Sequence, residues 1–166
     1  MKTNSLWAVT AVLVAITTCA HANVVKKSDF DGLTSLYQKS HTTVTDIASA
    51  GETMLLTTEP AIHACMLGLS SVASNISSQI EEIGVLLALS AEMKEKSDEQ
   101  LAVAVTKSTV SFSMKYFESA RDSVNTIAGS CSNNSVVASK AQSVLTLLDE
   151  VTSFMTPLAA RLERGR

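Results

Sequence analysis

Aromatic side chains supply only 4% of this 166-residue chain, and lysine and arginine are outnumbered, 13 against 16 acidic residues. With few rings to stack on bases and no basic face to neutralise phosphates, nucleic acid is not an expected partner. There are six glycines and two prolines, and no glycine-rich loop that could cradle a phosphate. Lysine-rich runs that would seek an anionic membrane are absent. Apart from the N-terminal segment, the most apolar stretch, Ile83 to Ala91, is about half the ~18 residues of a membrane-spanning helix, so no membrane span is expected.

Catalytic patterns are equally scarce. There is no G-x-S-x-G, no Ser three residues before a Lys, no C-x-x-C-H and no H-x-x-x-H or E-x-x-H pair, so neither an activated nucleophile nor a metal or haem site is expected. Glu81 and Glu82 are adjacent and would diverge by about 100° on a helix, which prevents them from working as a paired acid and base. The expectation is a protein without enzymatic activity and without a cofactor.

What is present begins with an export signal. Lys2 precedes an apolar run from Leu6 to Ile16, and Ala20, His21 and Ala22 form an A-x-A cleavage site. Residues 1–22 read as a signal peptide and 23–166 as a single helical-bundle domain. The product is expected to be secreted and extracellular, or periplasmic if bacterial. Removing Lys2 leaves 12 basic residues against 16 acidic and a net charge of about −4. Cleavage also removes Cys19, leaving Cys65 and Cys131 as an even pair on an oxidising route, where a disulfide is expected. If the route is eukaryotic, Asn133 is a candidate glycosylation site in a loop; the triplet at Asn75 falls within a helical pattern.

Apolar residues return every three or four positions and no segment alternates with period two, so the fold class is all-α. Four helices are predicted, over about 29–50, 60–94, 98–130 and 135–162. The first has Ser28 as its N-cap, Phe30, Leu33, Tyr37, Val44 and Ile47 on one face, and Gly51 as its end. The second starts at Pro60, a favoured first helical residue, and carries Ile62, Cys65, Leu69, Val72, Ile76, Ile80, Ile83 and Leu87. The third is assigned Leu101, Val105, Phe112, Tyr116, Ala120, Val124 and Ile127. The fourth, capped by Asn134 or Ser135, carries Val137, Ala141, Val144, Leu148, Val151, Met155, Leu158 and Leu162, with Pro157 inside it and a frayed tail from Glu163.

Short connections favour antiparallel neighbours, which gives an up-down four-helix bundle. Folding the central hairpin about Asp98 sets Cys65 opposite Cys131, Leu69 opposite Ile127 and Gly84 opposite Phe112. The apolar stripes and the cysteines agree on one register, so the bridge would tie the open end of the hairpin.

These features point to a secreted helical-bundle binding or structural module. A carrier of a small hydrophobic ligand is the alternative, with Met66, Leu69, Leu148 and Met155 lining a core site beneath a first helix shorter than its neighbours. A further alternative is an inhibitor or effector that presents a helix face, or the connection Gly51 to Glu59, to a protein partner; an exposed apolar patch would favour it.

Overall fold

The computed structural model describes residues 25–55, 60–93 and 96–164; residues 1–22, expected from the sequence to be a signal peptide, lie outside them. Four helices follow one another: α1 Lys27–Leu55, α2 Pro60–Glu92, α3 Lys96–Ser130 and α4 Ser135–Arg164. No strand occurs among the described residues. Each helix packs on the next, α4 closes the ring against α1, and α2 touches α4 across the middle.

The antiparallel order is fixed by side chains that meet across each seam. Ser40 of α1 donates to Ser77 of α2 at 3.0 Å, and the Ser90 and Thr106 hydroxyls meet between α2 and α3 at 3.2 Å. At the far end of that hairpin the sulfurs of Cys65 and Cys131 are bonded, 2.04 Å apart, so the disulfide closes the open end as the register requires. Ion pairs hold the flanks of α4: Asp29 with Arg161, Lys39 with Glu150 and Asp46 with Lys140 toward α1, Lys107 with Glu163 and Arg121 with Asp149 toward α3.

The core runs along the bundle axis through Leu69, Ile76, Ile80, Ile83 and Leu87 of α2 and Val144, Leu148, Val151, Met155 and Leu158 of α4, all buried. Helix α2 begins at Pro60 because that residue lacks the amide proton that a first helical turn leaves unpaired. Helix α4 begins after Asn134, whose side-chain oxygen accepts from the amides of Val136 and Val137, each at 3.1 Å. That satisfies two of the donors orphaned at a helix start.

Several boundaries differ from the sequence reading. Helix α1 does not stop at Gly51 but continues to Leu55. Gly51 is helical and buried, and a Cβ there would stand 3.8 Å from Cβ of Met66, so it serves the approach of α2 rather than a left-handed cap. The start of α1 is held by Asp29, not Ser28: its carboxylate accepts from the Lys26 amide at 2.8 Å, while the Asp29 amide donates to the Lys26 carbonyl. Helix α4 runs through Pro157 to Arg164, with Glu163 paired to Lys107 rather than frayed.

The larger correction concerns α3. Its inward positions are Thr106, Val110, Ser113, Phe117, Ala120 and Val124. Leu101, Val105 and Phe112, assigned to the core, point outward instead. Two of the inward positions carry hydroxyls, so the apolar spacing of the first half of α3 describes its outer face. Thr106 donates to the Ala102 carbonyl at 2.8 Å and Ser113 to Gln79 of α2 at 2.5 Å; these bonds make hydroxyls tolerable inside. Nothing lies within 4 Å of where a Cβ on Gly84 would be, so Phe112 does not cover it.

Candidate interaction surface

The outward turn of α3 builds the most conspicuous surface of the molecule. Leu101 and Phe112 are 67% and 66% exposed, and Val105 shares their face; residues four apart stack along one side of a helix. On α2, Val85 and Leu89 lie four apart and are exposed, and Met93, the residue just after the helix, is exposed as well. Their counterparts Ile83 and Leu87 fill the core, so the upper part of α2 is apolar on both sides. The Ser90–Thr106 contact places these two outward rows side by side at the closed end of the hairpin. A packed core explains one apolar face of each helix, not two.

Glu82 on α2 and Lys115 on α3 border this surface, both exposed. Folding the hairpin through the Ser90–Thr106 and Cys65–Cys131 pairs brings them within a turn of the same height. Beside it, a shallow groove of about 270 Å³ between α3 and α4 is lined by Lys107, Ser111, Met114, Lys115, Ala159 and Glu163, among others. The Lys107 ammonium in that groove is already matched by Glu163 at 2.5 Å.

Deeper in the hairpin, Tyr116 is hydrogen-bonded to Asn75 of α2, and burial raises its phenol pKa above the usual value, only partly offset by that bond.

The residues singled out from the sequence fall in separate places. Met66, Leu69, Leu148 and Met155 are all core residues, at most 1% exposed. The first helix is longer than expected, with 29 residues against 33 in α2 and 35 in α3, so the length mismatch that motivated a ligand site among them is only a few residues. Asn133 is exposed in the turn between α3 and α4. Of the connection Gly51 to Glu59, residues 51–55 belong to α1 and the rest lies outside the described residues. The two histidines among the described residues, His41 and His63, are separated along the bundle, because Ser40 meets Ser77 while Gly51 faces Met66. Among the described residues no three His, Cys, Asp or Glu side chains gather as metal ligands, and no helix is long and apolar enough to cross a membrane.

The outward apolar row of α3 was legible as apolar residues but was assigned to the wrong side of the helix; the clue lay in Val110 and Phe117, which share a face with Thr106 and Ser113. Comparison with protein families, with curated proteins and with solved structures finds no match for this chain.

Proposed function

We propose that this protein is a secreted, non-enzymatic helical-bundle module that works by docking the apolar face at the closed end of its α2–α3 hairpin onto a partner. The single observation that carries this reading is the row Leu101, Val105 and Phe112 beside Val85, Leu89 and, just past the end of α2, Met93, all exposed next to helices whose opposite faces already fill the core. Exposed apolar area of this kind is an expense in solubility that a monomer with no partner has no use for. The export signal and the single disulfide support action outside the cell, or in the periplasm of a bacterium.

The test is comparative capture. The mature chain and a Leu101→Ser/Phe112→Ser variant are immobilised and exposed to the fluid of the compartment that receives the protein, with a second, soluble sample of the chain itself included. Retention of a partner by the wild type and loss of it in the variant is the expected result. Equal retention by both, or by neither, overturns the reading.

A further inference from the structure

We infer that the occupant of this apolar face is a second copy of the same chain, in a two-fold dimer with its axis along the hairpin. The inference rests on the reading of the face as a docking surface and commits it to one partner. Two features of the surface point to self-pairing: its size and its charge.

The six outward side chains leave on the order of 500 Å² of apolar surface open, the upper end of what a monomer shows. With a polar rim added, the face approaches the ~800 Å² per partner of a standard specific interface. An isologous contact buries this face on both copies at once, so one patch needs no second, complementary patch elsewhere.

Charge then selects the orientation. Helix α2 carries Glu81, Glu82 and Glu92 and neither Lys nor Arg, whereas α3 carries both signs, with Asp98, Glu99, Glu118 and Asp122 among its acidic residues; of its lysines beside the outward apolar row, Lys107 is paired with Glu163 and Lys115 is not paired among the described residues. A two-fold axis across the hairpin would lay α2 on α2 and bring acidic residues together. An axis along the hairpin lays α2 of one copy over α3 of the other without changing height. Leu89 then meets the partner row near Val105, Met93 near Leu101 and Val85 near Phe112. Glu82 of each copy comes to the level of Lys115 of the other. Neither Glu82 nor Lys115 makes an ion pair within its own chain among the described residues, so both are available for a symmetric pair of cross-copy bridges. Such rim charges fix register and exclude the other orientation more than they add affinity.

The experiment is sedimentation equilibrium of the full mature, disulfide-bonded chain over a micromolar concentration series, with circular dichroism to verify the fold of each variant. The wild type is expected to dimerise. Phe112→Ser is expected to weaken association by more than about tenfold at unchanged helicity. Glu82→Lys and Lys115→Glu are each expected to weaken it by about tenfold, and the double reversal Glu82→Lys/Lys115→Glu to restore it, as only a pair in direct apposition would. A wild type that stays monomeric throughout, or a dimer indifferent to these substitutions, overturns the inference. The docking reading fails separately: it falls only if the capture comparison also shows no partner that depends on Leu101 and Phe112. Co-sedimentation with phosphatidylcholine vesicles that depends on Phe112, by a monomeric chain, would assign the face to a lipid surface and overturn the dimer.

Discussion

Glycine reports on packing differently at different positions in this molecule. A Cβ on Gly32 would collide with the edge of the Phe154 ring, which lies over the α1 backbone, whereas one on Gly84 would meet nothing. Gly84→Ala is therefore expected to stabilise the fold by about 0.5–1 kcal/mol through helix propensity alone. Gly32→Ala is expected to destabilise it by about 1–2 kcal/mol, because displacing the ring outweighs that gain. Urea denaturation of both variants checks the opposite signs. Tyr116 adds a pH dependence. Its phenol pKa is raised in the folded state, so the stability linked to its neutral form is present below the unfolded value of about 10 and is lost as pH rises through the higher folded value. Tyr116→Phe is expected to flatten the alkaline limb of a plot of melting temperature against pH; an unchanged limb would remove Tyr116 as its cause.

At the scale of the element, legibility depended on whether a helix keeps its inward positions apolar. Every residue assigned to the stripe of α4, from Val137 to Leu162, is buried, because no hydroxyl interrupts that face. In the first half of α3 the same reading failed, since Thr106 and Ser113 are inward and their partners Ser90 and Gln79 lie on another helix, whereas Ala120 and Val124 further along are buried as assigned. A spacing rule sees one helix at a time and cannot see a hydrogen bond across a seam. The ends of α1 were missed for a similar reason: Asp29 is held by Arg161, distant in sequence, and Gly51 by its neighbour Met66. The α3 half of the candidate surface followed from the same misassignment: Leu101, Val105 and Phe112 were identified in the sequence as core residues, and the exposed Val85, Leu89 and Met93 were not singled out. The hydroxyl seam carries a prediction of its own. The Ser90 and Thr106 hydroxyls each lie 2.8 Å from a carbonyl of their own helix, so one of the two can donate across the seam while the other donates locally; Ser90→Ala/Thr106→Val is expected to change stability by less than about 1 kcal/mol, since both partners leave together. A chemical denaturation curve displaced by more than that would show the pair to be a determinant of register.

For the whole molecule, the disulfide is a large contribution to stability that reduction alone can remove. Its cysteines are 66 residues apart, and closing a loop of that size restricts the unfolded chain by about 4 kcal/mol in the usual entropy model. That is a large share of a typical domain stability of about 5–15 kcal/mol. Cys65→Ala/Cys131→Ala is expected to lower the unfolding free energy by that order while leaving the four helices in place at low temperature. Thermal melting with and without a thiol reductant gives the same comparison in the native sequence, and coincident curves would contradict it. Substituting the outward residues Leu101 and Phe112, by contrast, is expected to move folding stability by no more than about 0.5 kcal/mol, so that their effect on docking can be read without a folding defect.

The bridge also gives the molecule an uneven covalent topology. With the chain connection at one end and the sulfurs at the other, α2 and α3 form a closed ring, while α1 and α4 hang from it as open arms. A protease that cuts once between Cys65 and Cys131 leaves a single species on a non-reducing gel, which separates into two pieces when thiol is added. A cut in either arm releases a fragment at once, so limited digestion followed on paired gels distinguishes the ring from its appendages.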